Sequence, residues 1–270
     1  MPFYRFESLE EKNLTPHLSS GRGPIIEGQY IYFCKVSKKP GTGSVLHYHP
    51  NELIAFCLEG KMNALAGKDR RIVLPGTFIH LPPYARHQIG ATEDGPMSYL
   101  YIKDQTWTVV GVAEDESIPD HAPTIEEVEE KLKQGKWPGS EKKPEKSAAK
   151  IEGLGICYYP VLDSLDSPSF SASLNCRVEG QRMAFAFREI PPGYQESNPK
   201  SEHEEFSYLL SGNLEAQIDK DRAAVSPGGI LHVPKGSSCT VKVDGRSCAR
   251  LISVCSKPTL EAAISKGGKG

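Results

Sequence analysis

The sequence predicts an all-β protein made of two tandem β-barrels with a short helix between them. Three observations carry this expectation: short β-rich segments set between turn residues, a single capping box, and an internal repeat. Glycine (25) and proline (21) recur throughout the 270 residues. Between them lie segments rich in β-branched and aromatic side chains, at 29–36, 51–58, 70–74, 77–82, 97–103 and 106–112, then at 182–190, 206–212, 228–234, 239–243 and 249–255. Short strands with turn signals every 8–12 positions or so read as a sandwich or barrel.

The helix is predicted from Thr124-Ile125-Glu126-Glu127. A threonine followed three residues later by glutamate lets each side chain satisfy a backbone amide that the first helical turn leaves free. Ile125, Val128 and Leu132 continue at helical spacing, and Gly135 ends the run. Residues 136–150 are charged, broken by proline and poor in apolar side chains, as expected of a solvated connector. The expected organisation is a first barrel over 1–112, helix and connector over 113–150, and a second barrel over 151–270.

The repeat has an offset of 152 positions and runs without a gap from Pro40–His87 to Pro192–Cys239. Pro40-Gly41 falls on Pro192-Gly193, Glu52 on Glu204, Gly60 on Gly212, Pro75-Gly76 on Pro227-Gly228, and His80 on His232. Turn glycines and prolines held in register over that span mark a duplication of one small barrel.

Composition limits the function. Lys plus Arg (32) nearly balances Asp plus Glu (34), for a formal charge of −2, so neither a nucleic acid nor a membrane surface is the expected partner. The amino terminus carries charges where a signal peptide needs an apolar run, and no segment has the ~18 apolar residues of a membrane span. Seven cysteines without a C-x-x-C pair fit a cytoplasmic protein with reduced thiols.

Residues 41–60, GTGSVLHYHPNELIAFCLEG, hold a glycine, an H-x-H pair, an acidic residue and a closing glycine, and Pro82-Pro83-Tyr84-Ala85-Arg86-His87 supplies a third histidine. These motifs resemble those of the cupin superfamily, and the duplication resembles a bicupin. The resemblance implies a double-stranded β-helix, or jelly roll, in each lobe. It is specific for fold and not for reaction, because this fold hosts oxygenases, isomerases, decarboxylases, lyases and storage proteins.

His47 and His49, two apart on a strand, project from one face, and the repeat places His87 on a neighbouring strand. Three neutral imidazoles meeting inside a barrel suit divalent iron, nickel, copper or zinc, with manganese a further alternative, and among these the cupin resemblance favours iron(II). The competing reading is three hydrogen-bonded core or surface histidines. Most metal cupins place Glu or Gln seven residues before the closing glycine, where this chain has Leu53. Its neighbour Glu52 points to the opposite face of a regular strand, unless a bulge near Pro50 turns it inward as a base or alternative ligand. A three-histidine ferrous site is a recurring feature of cupin dioxygenases. The resemblance therefore implies a metal-dependent dioxygenase acting on a small phenolic, diketone or organic-acid substrate. The alternatives are a non-oxidative isomerase, lyase or hydrolase, and a binding protein without turnover. A homodimer is expected, since bicupins resemble paired single-cupin dimers.

Other residues carry weaker expectations. Arg86 and Tyr84 flank His87 and are candidates for contact with a substrate carboxylate or phenolate, against simple exposure. Tyr48 alternates to the outer face, and Phe56, Tyr99 and Tyr101 read as core. His80 and His232 recur in both lobes, which favours a structural hydrogen bond. In the second lobe the three histidine positions hold Pro199, Ser201 and Cys239. There only Glu205 and His203 offer a makeshift pair, so a supporting barrel without metal is expected.

Overall fold

A computed structural model describes residues 2–136, 147–163, 165, 174–243 and 246–267. Most of the expected connector, 137–146, lies outside the described residues. Each lobe is a pair of antiparallel sheets. In the first, a seven-stranded sheet built around Leu53–Glu59, Met97–Asp104 and Ile31–Lys38 packs on a five-stranded sheet containing His47–Tyr48, His87–Ala91 and Met62–Ala66. In the second, a six-stranded and a four-stranded sheet repeat the plan. The duplication extends to register: Lys38 pairs with Met97 as Ile190 pairs with Ala249, each 152 positions on.

Alternation explains why the central strands read as continuous apolar runs. Leu53, Ala55 and Cys57 face the interior of their own barrel. Ile54, Phe56 and Leu58 face outward, into a core shared with Phe185, Phe187, Phe206 and Val254 of the second lobe. A strand buried on both faces has no polar side to show. Phe33 stacks on Phe206 at 5.0 Å and Phe78 lies 4.9 Å from Phe185, so the lobes share one aromatic seam.

Two further devices bind the lobes. The first is an exchange of edge strands. Phe3–Arg5 pairs with Gly229–Val233 of the second lobe, and Tyr158–Pro160 pairs with Thr77–Leu81 of the first. Sequence boundaries at 112 and 150 therefore do not coincide with the sheets.

The second is a reciprocal pair of buried carboxylates. Glu52 accepts hydrogen bonds from the backbone amides of Gln181, Arg182 and Met183 at 2.7, 2.8 and 2.7 Å, and from His80 Nε2 at 2.7 Å. Glu204 takes those of Gln29, Tyr30 and Ile31 at 2.6, 2.8 and 3.0 Å, and of His232 Nε2 at 2.9 Å. Both carboxylates are fully buried. Gly28 and Gly180 permit the approach, since a Cβ there would stand 2.5 and 2.7 Å from a carboxylate oxygen. His80 and His232 are the structural hydrogen-bonding residues that their recurrence predicts.

The helix forms over Ile125–Lys133 with the expected capping box, and Ile125 and Val128 are buried. One expected strand is lost. Residues 106–112 form an irregular segment, and only Val112–Ala113 pairs. Its carbonyls are taken by side chains instead of a ladder: Asn51 Nδ2 donates to Trp107 O, and Lys103 Nζ to Thr108 O and Val109 O. A second helix, Pro258–Gly267, closes the chain. No described helix is long and apolar enough to cross a membrane, and no disulfide joins the cysteines among the described residues.

The carboxylate exchange has a measurable consequence. Removing one acceptor strands several buried donors, each costing about 1–3 kcal/mol. Glu204→Ala is expected to lower stability by about 3 kcal/mol or more in urea unfolding. A loss below about 1 kcal/mol would show that solvent replaces the carboxylate freely.

Candidate metal centre

The three first-lobe histidines are brought together. His47 and His87 are direct partners on adjacent antiparallel strands, and His49 follows two residues after His47. Ring centres lie 4.2 Å apart for His47–His87, 4.7 Å for His49–His87 and 6.2 Å for His47–His49. They are 8%, 2% and 1% exposed in the order His47, His49, His87. Gly111 makes room for them, since a Cβ there would stand 2.6 Å from His47 Cδ2.

Each ring is oriented by the main chain. The Nδ1 of His47, His49 and His87 faces the carbonyl of Val45, Asn51 and Ala85 at 2.9, 3.1 and 2.8 Å. A carbonyl only accepts, so each Nδ1 carries the proton and donates it, leaving Nε2 with a free lone pair. Burial, the largest influence in each case, favours the neutral ring. It lowers His87 to about 4 and holds His47 and His49 well below the ordinary histidine range. The charges of Lys103 and Lys38 add to this at His87 and His47.

This donor set fits a metal in its chemistry. His49 Nε2 is buried without a hydrogen-bond partner. An ion ~2.1 Å from three Nε2 atoms at facial to tetrahedral angles would place the ring centres roughly 4.5–5.3 Å apart; the His47–His87 and His49–His87 spacings are close to this, and that of His47–His49 is wider. The closed geometry of a formed site is not present, however. Among the described residues no group of three or more His, Cys, Asp or Glu side chains is positioned to hold an ion as it stands. The imidazoles are neighbours with free lone pairs, and a bound ion has to draw them into alignment.

The other candidates lie elsewhere. Glu52, considered as base or ligand, spends its carboxylate on the second lobe and His80, while Leu53 lines the cavity beside His47 and His87. Burial works against ionisation of Glu52, but His80 and the amides outweigh it and lower its pKa. Arg86 pairs with Glu114 at 3.3 Å and is not among the cavity residues. Tyr84 takes φ +67° at the position that the second lobe gives to Gly236, at φ +89°. In the second lobe, His203 bonds Glu261 at 3.0 Å, so it is not paired with Glu205. Burial pushes the Cys239 thiol up to about 12, which leaves it inert.

Sequence reasoning missed Asn51 and Lys38. Asn51 is fully buried. Its Nδ2 donates to Asp104 O at 2.6 Å and Trp107 O at 2.9 Å, and its own carbonyl orients His49. Lys38 lines the cavity with His47, His87, Tyr99 and Tyr101. A lysine closing a strand carries no pattern that marks it as buried.

Comparison with known proteins places the fold among relatives. A family model described as Cupin domain matches residues 35–103 and 186–255. AerE from Microcystis aeruginosa superposes with a TM-score of 0.62 at 15% identity, over 95% of this chain and 100% of that one. Bacillus subtilis oxalate decarboxylase, in a structure concerned with its Mn(II) centres, gives 0.63 at 15% identity, over 94% of this chain and 77% of that one. Another oxalate decarboxylase structure, concerned with substrate binding and a switch in reaction specificity, gives 0.63 at 16% identity with the same coverage. At such identities the likeness establishes the fold alone. No curated protein sequence matches the chain.

The neutral imidazoles fix the sign of a pH effect. With His87 at about 4 in the folded protein and 6.5 as the ordinary value, the unfolded chain takes up the proton first as pH falls. Stability is therefore lost between about pH 6.5 and pH 4, roughly 2 kcal/mol for this histidine by pH 5. Urea midpoints of metal-free protein are expected to fall over that interval, and to fall less in His87→Asn. Equal slopes in the two proteins would contradict the assignment.

Proposed function

Because the chain belongs to the cupin family, with two cupin domains in tandem, we propose that its first lobe is the working site of a metal-dependent enzyme. His47, His49 and His87 would hold a divalent ion, iron(II) by preference, and the reaction would be dioxygenation of a small oxygenated organic substrate. The observation that carries this reading is three buried, neutral imidazoles with Nδ1 engaged and Nε2 free, that of His49 lacking any partner. A buried acceptor left unpaired costs about 1–3 kcal/mol, which an ion would relieve.

When bound, such an ion supplies Lewis acidity toward a chelating substrate and, as iron, redox chemistry with dioxygen. The protein's own residues set the conditions. Burial keeps the ligands neutral without waiting for a base. No carboxylate is among the residues lining the cavity, so three neutral ligands would leave the ion its full charge for an anionic oxygen donor. Leu53, Val36 and Ile89 form apolar wall and exclude water. The second lobe, with Pro199, Ser201 and Cys239 at the ligand positions, serves as support.

Elemental analysis of freshly purified protein tests the reading. About one metal ion per chain is expected, falling at least tenfold in His87→Ala. Iron-loaded protein is expected to consume oxygen with a phenolic, diketone or organic-acid substrate. Oxygen-indifferent turnover by a zinc- or nickel-loaded form would move the assignment to an isomerase, lyase or hydrolase. Metal-free protein insensitive to His87→Ala would overturn it.

A further inference from the structure

Lys38 lies in the same cavity as His47 and His87 and is 4% exposed. Its ammonium donates to Ser19 Oγ at 2.8 Å. No carboxylate among the described residues pairs with it, and burial alone lowers its pKa, to about 7, with no neighbouring charge opposing the shift. A buried ammonium without a counter-charge is costly and is normally paired or hydrogen-bonded. Its surroundings are donor-rich: Thr15, Ser19, Ser44, Tyr99 and Tyr101 line the same cavity.

The duplication supplies an internal control. At the position of Lys38 the second lobe has Ile190, which packs in the apolar core of that lobe. Tyr99 and Tyr101 correspond to Leu251 and Ser253. The barrel therefore folds without a cation at this point. The lysine accompanies the imidazoles, in the lobe that has them.

We infer that Lys38 is the anion-binding residue of this chamber, and that its substrate is a small molecule carrying a carboxylate, which Lys38 anchors while the histidine side of the cavity receives the reacting end. The inference rests on the reading of this cavity as the substrate chamber, and it deepens that reading by naming the substrate's charged group. The free space is small, about 20 Å³, room for a single water-sized group, so the chamber admits the head of a compact carboxylate and the rest of the molecule must lie toward the mouth.

The test uses metal-free protein at about pH 6, where the ammonium is charged, titrated with acetate and with acetamide as its neutral isostere, followed by NMR. Acetate is expected to bind and acetamide not. Lys38→Met is expected to weaken acetate binding by about tenfold or more, and Lys38→Arg to restore it to within a few-fold. Lys38→Met keeps all three histidines, so it is expected to take up metal as the parent does. Equal affinity for acetate and acetamide, acetate binding indifferent to Lys38→Met, or no acetate binding at about 0.1 M would overturn the inference. Lysine-dependent acetate binding in a protein that never takes up metal would leave it standing while removing the metal centre.

Discussion

The structure depends on an exchange of buried carboxylates between its halves. Glu52 and Glu204 each leave their own lobe to cap three consecutive amides at a turn of the other, and a histidine braces each one. A fully buried carboxylate is tolerated only when its lone pairs are filled, so neither lobe is satisfied without its neighbour. Arg182 adds a bond from the same turn to Asp104 at 3.0 Å, and Asp104 also accepts the amide of Glu52 at 2.6 Å. That network ends beside Asn51, whose carbonyl orients His49. The interlobe contact and the imidazole cluster thus meet within four residues of chain, His49 to Glu52.

This adjacency accounts for the character of the site. Glu52 is committed to the interface, so the strand's inward position belongs to Leu53. The cavity is left with histidines, lysine, hydroxyls and apolar wall. Its electrostatic bias is positive, set by buried Lys38 and Lys103 and by rings kept neutral through burial. A bound anion would meet donors on the side of Lys38 and the hydroxyls, and the neutral imidazoles on the other.

Much of this was legible in the sequence because it is periodic or local. The 152-residue offset exposed the duplication, the capping box located the helix, and two-residue alternation separated Leu53 from Glu52. What escaped lacks period and locality. Nothing near Glu52 indicates that its partners are amides some 130 positions away. Strands of three residues such as Phe3–Arg5 are too short to carry a pattern. Residues 106–112 have the composition of a strand, yet Asn51 and Lys103 claim their carbonyls. Lys38 reads as surface because lysine usually is, and only the fold reveals that its strand end lies inside the barrel.

The strand exchange has an implication for descent. Two identical single-barrel subunits that trade edge strands must carry the same residues at every position, so they possess two reaction centres or none. Fusion into one polypeptide lifts that symmetry while keeping the trade intact. One half can then differ at the positions that match the three histidines, with proline, serine and cysteine there, and still be indispensable as the other's missing edge.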